Sequence, residues 1–195
     1  MKKQAPVCVV IMMGLPGRSR LHSISSFFFF FSFCFFSSLD VVGSGKSTFA
    51  ANLAKKAKIE VFARDELGST DAVKKALEKA LKKQKKSAIV DCVNMHPKDR
   101  IMWATVARQL DPACKVIRVF VDTPKELCIE RAMSRKNHPT LSPENAVETI
   151  EMFGKGFKEP TSFELGKMGK YEYENKIVDD ESAKTVTEEL LKILI

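Results

Sequence analysis

The chain has 195 residues, of which 45% are hydrophobic and 29% charged, and its formal net charge is +8. That balance excludes a disordered chain, the length suffices for a core without disulfide or metal staples, and the surplus of positive charge points to acidic partners such as nucleotides or nucleic acid. Five scattered cysteines, Cys8, Cys34, Cys92, Cys114 and Cys128, form no CxxC pair and no Cys/His cluster, which argues for a reduced, intracellular protein, cytoplasmic or nuclear.

In chain order, short apolar runs alternate with helical patterns, the signature of βαβ units and of an α/β fold with a mostly parallel five-stranded sheet. Lys2 and Lys3 followed by VCVVIMMGL have the outline of a signal peptide, yet Val7–Met13 also fits a strand buried on both faces, and we read it so. The FFFFFSFCFF run that follows falls short of the roughly 20 residues that span a bilayer, so no membrane association is expected. The other strands are expected at Ile59–Arg64, Ser87–Asp91, Lys115–Asp122 and Lys176–Asp179. Helices are expected over Lys46–Lys58, Asp71–Lys86, Pro97–Leu110, Pro124–Arg135, Ser142–Phe153 and Ser182–Leu194. Proline at or near the start of three of them and serine at the caps of the last two support those boundaries. A loop is expected over Gly154–Tyr173. The whole chain, 1–195, reads as a single domain.

One stretch departs from this pattern. Residues 23–38 hold Phe27–Phe31, Phe33, Phe35 and Phe36, eight of the fourteen phenylalanines. The stretch sits between GLPG (Gly14–Gly17) and SGKST (Ser44–Thr48), the two halves of a phosphate-binding loop. Such a loop needs G-x-x-x-x-G-K-[ST] between a strand and a helix, so that backbone N–H groups turn inward on the phosphates. As written, the position of the first glycine is taken by Asp40. Joining Gly17 directly to Ser44 restores the motif with Gly14 as first and Gly45 as second glycine, an apolar strand immediately before it. Residues 18–43 are therefore read as an insertion, the product of a retained intron: pyrimidine-rich codons encode Phe, Ser and Leu, and a glycine stands at either edge.

In this motif Gly14, Gly17, Ser44, Gly45, Lys46, Ser47 and Thr48 are the expected nucleotide-binding residues. Lys46 reaches the β and γ phosphates of ATP, and the Ser47 hydroxyl holds Mg²⁺. Just past the second strand lies Arg64-Asp65. The carboxyl ends of parallel strands face the ligand crevice, so Asp65 is placed as a general base, with Arg64 steadying it or a phosphate. Asp91 closes the third strand as a second carboxylate for Mg²⁺ or substrate, and Asn94 is a candidate to bind substrate. Lone His96 fits a helix cap, and Cys92 fits packing better than nucleophilic attack. Arg131 and Arg135, four apart at a helix end, share a face and can bring positive charge to a transferring phosphoryl group. The lysines of Asp71–Lys86 lie mostly opposite its apolar stripe and read as a solvated face.

Taken in order, GLPG with SGKST, then ARDE, VDCVNMHPKDR and RAMSRKNH, the chain resembles the P-loop polynucleotide 5′-hydroxyl kinases, the kinase modules of nucleic-acid repair proteins. The resemblance implies a P-loop three-layer sandwich and transfer of the ATP γ-phosphate to a polynucleotide 5′-hydroxyl. It also implies Asp65 as base, Asp91 and Asn94 on the acceptor side, and Arg131 and Arg135 as a lid. Leu67-Gly68-Ser69 lacks the arginine with which some members hold the acceptor, which leaves a small-molecule acceptor open. A non-catalytic α/β protein that binds nucleotide or nucleic acid is the third reading, since the insertion parts the two halves of the loop.

Overall fold

The structure, a computed structural model, describes residues 7–14, 44–134, 143–158, 161, 173–177 and 179–195. Gly17, Arg135, Ser142 and the 18–43 stretch lie outside the described residues. Strand β1 (Cys8–Gly14) is followed by α1 (Lys46–Ala57), β2 (Glu60–Ala63), the short α2 (Arg64–Leu67) and α3 (Thr70–Glu78). Helix α3 runs on as a π-helical turn, Lys79–Gln84. Then come β3 (Ala88–Asp91), α4 (Pro97–Leu110), β4 (Lys115–Val121), α5 (Lys125–Ser134), α6 (Pro143–Gly156), β5 (Tyr173–Ile177) and α7 (Asp180–Leu194).

All five strands are parallel, in the order β2-β3-β1-β4-β5. β1 is the central strand, and every one of its residues is buried. Its pleat divides them cleanly. Val9, Ile11 and Met13 join Val73 and Leu77 of α3 and Trp103, Ala104 and Ala107 of α4 on one face. Cys8, Val10 and Met12 join Phe49, Ala50 and Leu53 of α1 and Val186 and Leu190 of α7 on the other. Helices on both faces make the expected three-layer sandwich, and double burial explains why β1 is a continuous apolar run rather than an alternating one. α5 and α6 close a smaller cluster of their own around Cys128, Ala132, Ala146 and Ile150.

Several boundaries differ from expectation for local reasons. β5 begins three residues earlier, at Tyr173: its sequence YENKI has the polar composition of an edge strand, and its pairing with β4 rather than its hydropathy defines it. α7 is capped by Asp179, not Ser182. The Asp179 carboxylate accepts from the Ser182 N–H at 2.8 Å, and Ser182 Oγ accepts from the Asp179 N–H at 3.1 Å, a reciprocal pair. α6 continues past Phe153 to Gly156, two glycines notwithstanding. Lys58 and Lys85 adopt left-handed φ values of 56° and 53°, which end α1 and the π turn where no glycine is available. Among the described residues no helix is long and apolar enough to cross a membrane.

Candidate active site

The strand register sets the site. Gly14 pairs with Val121, Met12 with Asp91, and Asp91 with Ala63, so four strands end at one level and their following turns converge. Gly14 is packed so closely that a Cβ there would stand 2.7 Å from the Val121 carbonyl and 3.1 Å from Cδ of Lys46. The two halves of the interrupted motif thus meet in space: the stem of Lys46, first residue of α1, lies over the last residue of β1. Gly45, the N-cap of α1, has φ +84°, a conformation that favours glycine. Ser44 is buried, and its carbonyl accepts from Thr123 Oγ1 at 2.7 Å, which ties the turn to the end of β4.

Lys46 is 2% exposed, and its ammonium donates to Ser44 Oγ at 2.9 Å. The Ser47 hydroxyl donates to the Asp91 carboxylate. Burial raises the pKa of Asp91. The charge of Lys46 and the Ser47 hydrogen bond oppose that rise, and the charges of Asp65 and Glu66 add to it. Arg64 and Asp65, in the single turn of α2, line a small cleft with Lys46, Ala63, Asp91, Cys92 and Val93. The Cys92 thiol is pushed up to about 12, first by burial and then by the charge of Asp91, so it stays protonated and is no nucleophile at neutral pH. Asp91 and Ser47 offer the hard oxygen donors that suit Mg²⁺. Among the described residues no group of three metal-ligating side chains gathers.

On the other side of the Ser44–Lys46 turn opens a cleft of about 800 Å³. Its floor is Gly45, Thr48, Phe49 and Asn52 of the α1 side, and Thr123, Leu127 and Arg131 wall it from β4 and α5. Ile177, Asp179, Lys184 and Thr187 close the far end. Arg131 Nη1 lies 3.9 Å from where a Cβ on Gly45 would stand, so its guanidinium hangs over the turn. Sequence reasoning found Thr48 and Arg131 but missed Thr123, Asn52 and the α7 wall. Thr123 was concealed in an Asp-Thr-Pro that signals only a helix start, and α7 is remote in the chain.

Asn94, expected from the sequence to bind substrate, has its side chain engaged within the fold. It is 4% exposed with φ +48°, and both ends of its amide are used within the fold. Nδ2 donates to the Met12 carbonyl at 2.6 Å, and Oδ1 accepts from Trp103 Nε1 at 2.9 Å. Asn94 braces the turn after β3 against β1 and α4. The buried Arg100 holds the same turn, donating to the carbonyls of Asn94 at 2.9 Å, Met95 at 3.2 Å and Lys158 at 3.1 Å. His96 stands at the N-cap of α4 as expected, its N–H donating to Asp99 Oδ2 at 3.3 Å.

This architecture is shared with solved structures, kinases among them. Kti12 of Chaetomium thermophilum in complex with ADP-AlF3 superposes with a TM-score of 0.58 at 14% identity, over 96% of this chain and 99% of that one. A sugar kinase from Janibacter sp. HTCC2649 gives 0.56 at 16% identity over 97% and 95%. The Mycobacterium tuberculosis APS kinase CysC, in complex with AMPPNP and APS, gives 0.54 at 14% identity over 98% and 99%. The fold is that of the P-loop kinases. At such identities the likeness is one of fold. No protein-family model matches the sequence, and no curated protein does so either.

Proposed function

We propose that this chain is an ATP-dependent P-loop phosphotransferase whose acceptor is the 5′-hydroxyl of a polynucleotide. The observation that carries the reading is the convergence of Gly14, Lys46, Ser47, Asp91 and Asp65 at one end of the sheet, where the Ser47 hydroxyl bonds Asp91 beside Lys46. The 800 Å³ cleft is of a size that takes a nucleotide, and it opens on the same turn. Lys46 then faces the β and γ phosphates, with Gly45 and Thr48 supplying N–H donors at the helix N-terminus. Ser47 and Asp91 hold Mg²⁺, which when bound neutralises charge developing on the phosphoryl oxygens. Asp65 accepts the proton of the acceptor hydroxyl as its oxygen bonds to the γ phosphorus and the bond to the β-phosphate oxygen breaks, releasing ADP. Arg64 steadies the acceptor end. Arg131 stabilises the transferring group from the open side.

The test incubates the full chain, and a second form lacking Arg18–Gly43, with γ-labelled ATP, Mg²⁺ and 5′-hydroxyl RNA and DNA oligonucleotides. Label on an oligonucleotide is the expected result, and Asp65→Asn should lower it by at least about 100-fold while nucleotide binding is kept. Absence of label from both forms, with nucleotide still bound, defeats the polynucleotide reading. The second reading, a small-molecule acceptor, draws on the kinases of matching fold, which include a sugar kinase and an APS kinase. It also draws on the cramped cleft around Asp65 and Asp91, about 20 Å³. A panel of small hydroxyl compounds in the same assay separates the two.

A further inference from the structure

α3 and its π-helical turn carry an unusual surface. Between Thr70 and Lys86 stand Lys74, Lys75, Lys79, Lys82, Lys83, Lys85 and Lys86 against two acids, Asp71 and Glu78: a net +5 of the chain's +8. Val73, Leu77, Ala80 and Leu81 take the buried stripe, and all the lysines but the half-buried Lys74 are exposed. The two acids are already engaged, Asp71 with Lys74 at 3.7 Å and Glu78 with Lys82 at 3.3 Å. Among the described residues Lys75, Lys79, Lys83, Lys85 and Lys86 make no ion pair. The π turn and the left-handed Lys85 prolong the lysine run beyond the α-helical part, to Lys86, whose N–H donates to the Ala80 carbonyl at 3.0 Å. Five unpaired ammonium groups on one face repel one another and lower the stability of the free protein, a cost that an anion laid along them removes.

We infer that this face is a track for the phosphodiester backbone of a single-stranded nucleic acid, on the acceptor side of the site. The placement favours a strand over a membrane surface. α3 starts three residues after α2, whose Asp65 lines the acceptor cleft, and it packs against the edge strand β2. It then leads away from the cleft for about 20 Å, the length of several phosphates. A strand with its 5′ end at Asp65 lies over Lys75 first and Lys86 last. The inference rests on the kinase reading for the position of that 5′ end and extends it, because the lysines would hold nucleotides that do not react.

The test is equilibrium binding of a fluorescent 5′-hydroxyl 12-mer to the full chain across a salt series, with no ATP present. One variant combines Lys75→Gln, Lys79→Gln, Lys83→Gln and Lys86→Gln. A charge-matched control combines Lys55→Gln, Lys58→Gln, Lys155→Gln and Lys192→Gln, all exposed. For single strands each phosphate contact contributes about 0.7 to the slope of log K against log salt. The α3 variant is expected to lose about 3 in that slope and to bind at least tenfold more weakly at low salt, the control much less. Equal losses in both variants overturn the inference. So does an unchanged slope in the α3 variant, or a loss seen only with phosphatidylserine vesicles. Binding does not depend on phosphoryl transfer, so a chain that binds in this pattern yet labels no acceptor refutes the kinase reading alone.

Discussion

A methyl group on Gly14 would meet the Val121 carbonyl at 2.7 Å and the Lys46 stem at 3.1 Å. The carbonyl belongs to the backbone at the end of β4, so the ends of β1 and β4 must part to admit the methyl, and the Lys46 stem must shift as well. Gly14→Ala is therefore expected to destabilise the fold by about 2 kcal/mol and to weaken nucleotide binding together with it, read by denaturant titration and calorimetry. Asn94 behaves differently. Asn94→Ala leaves the Met12 carbonyl and Trp103 Nε1 without their partner and places alanine, which tolerates left-handed backbone less well than asparagine, at φ +48°. A loss of about 3 kcal/mol in stability follows, while the folded fraction binds nucleotide as before. A fall in affinity with no fall in stability would return Asn94 to the ligand side.

The cap of α7 shows how a carboxylate serves the fold and the site together. Hydrogen bonds from Ser182 hold the Asp179 pKa below its ordinary value. Stability from the cap is therefore present above the unfolded pKa and is lost as pH falls through the lowered folded one. Asp179→Ala should lower Tm at neutral pH, and the gap between variant and parent should close on acidification. A gap that persists below that range would show that the carboxylate charge is not what caps the helix. Strands β1, β3 and β4 and helix α4 were legible in the sequence because apolar runs and Pro97 are local signals. β5 was displaced because YENKI is polar and only its pairing with β4 defines it. α2 was missed because one turn has no periodicity. The motif residues from Lys46 to Ser47 could be located from spacing alone, whereas the role of Asn94 depends on Met12, 82 residues away, and on Trp103 in the following helix.

Gly14 and Lys46 meet beside each other, so the flanks of residues 18–43 are brought together by the sheet and α1. Removing Arg18–Gly43 is therefore expected to leave both flanks where they are. The shorter chain is expected to be the more soluble and at least tenfold more active, read by sedimentation and by labelled ATP turnover; equal turnover by both forms would make the stretch a tolerated loop. Transcripts lacking it are the companion expectation, and its presence in every mature transcript would sink the intron reading. The two clefts stand back to back across Ser44, Gly45 and Lys46, one roomy and one cramped. A single inhibitor could therefore straddle that ridge. A nucleoside polyphosphate tail passing over Gly45 and ending in a hydroxyl mimic beside Asp65 would occupy both clefts at once, with only a three-residue turn to cross.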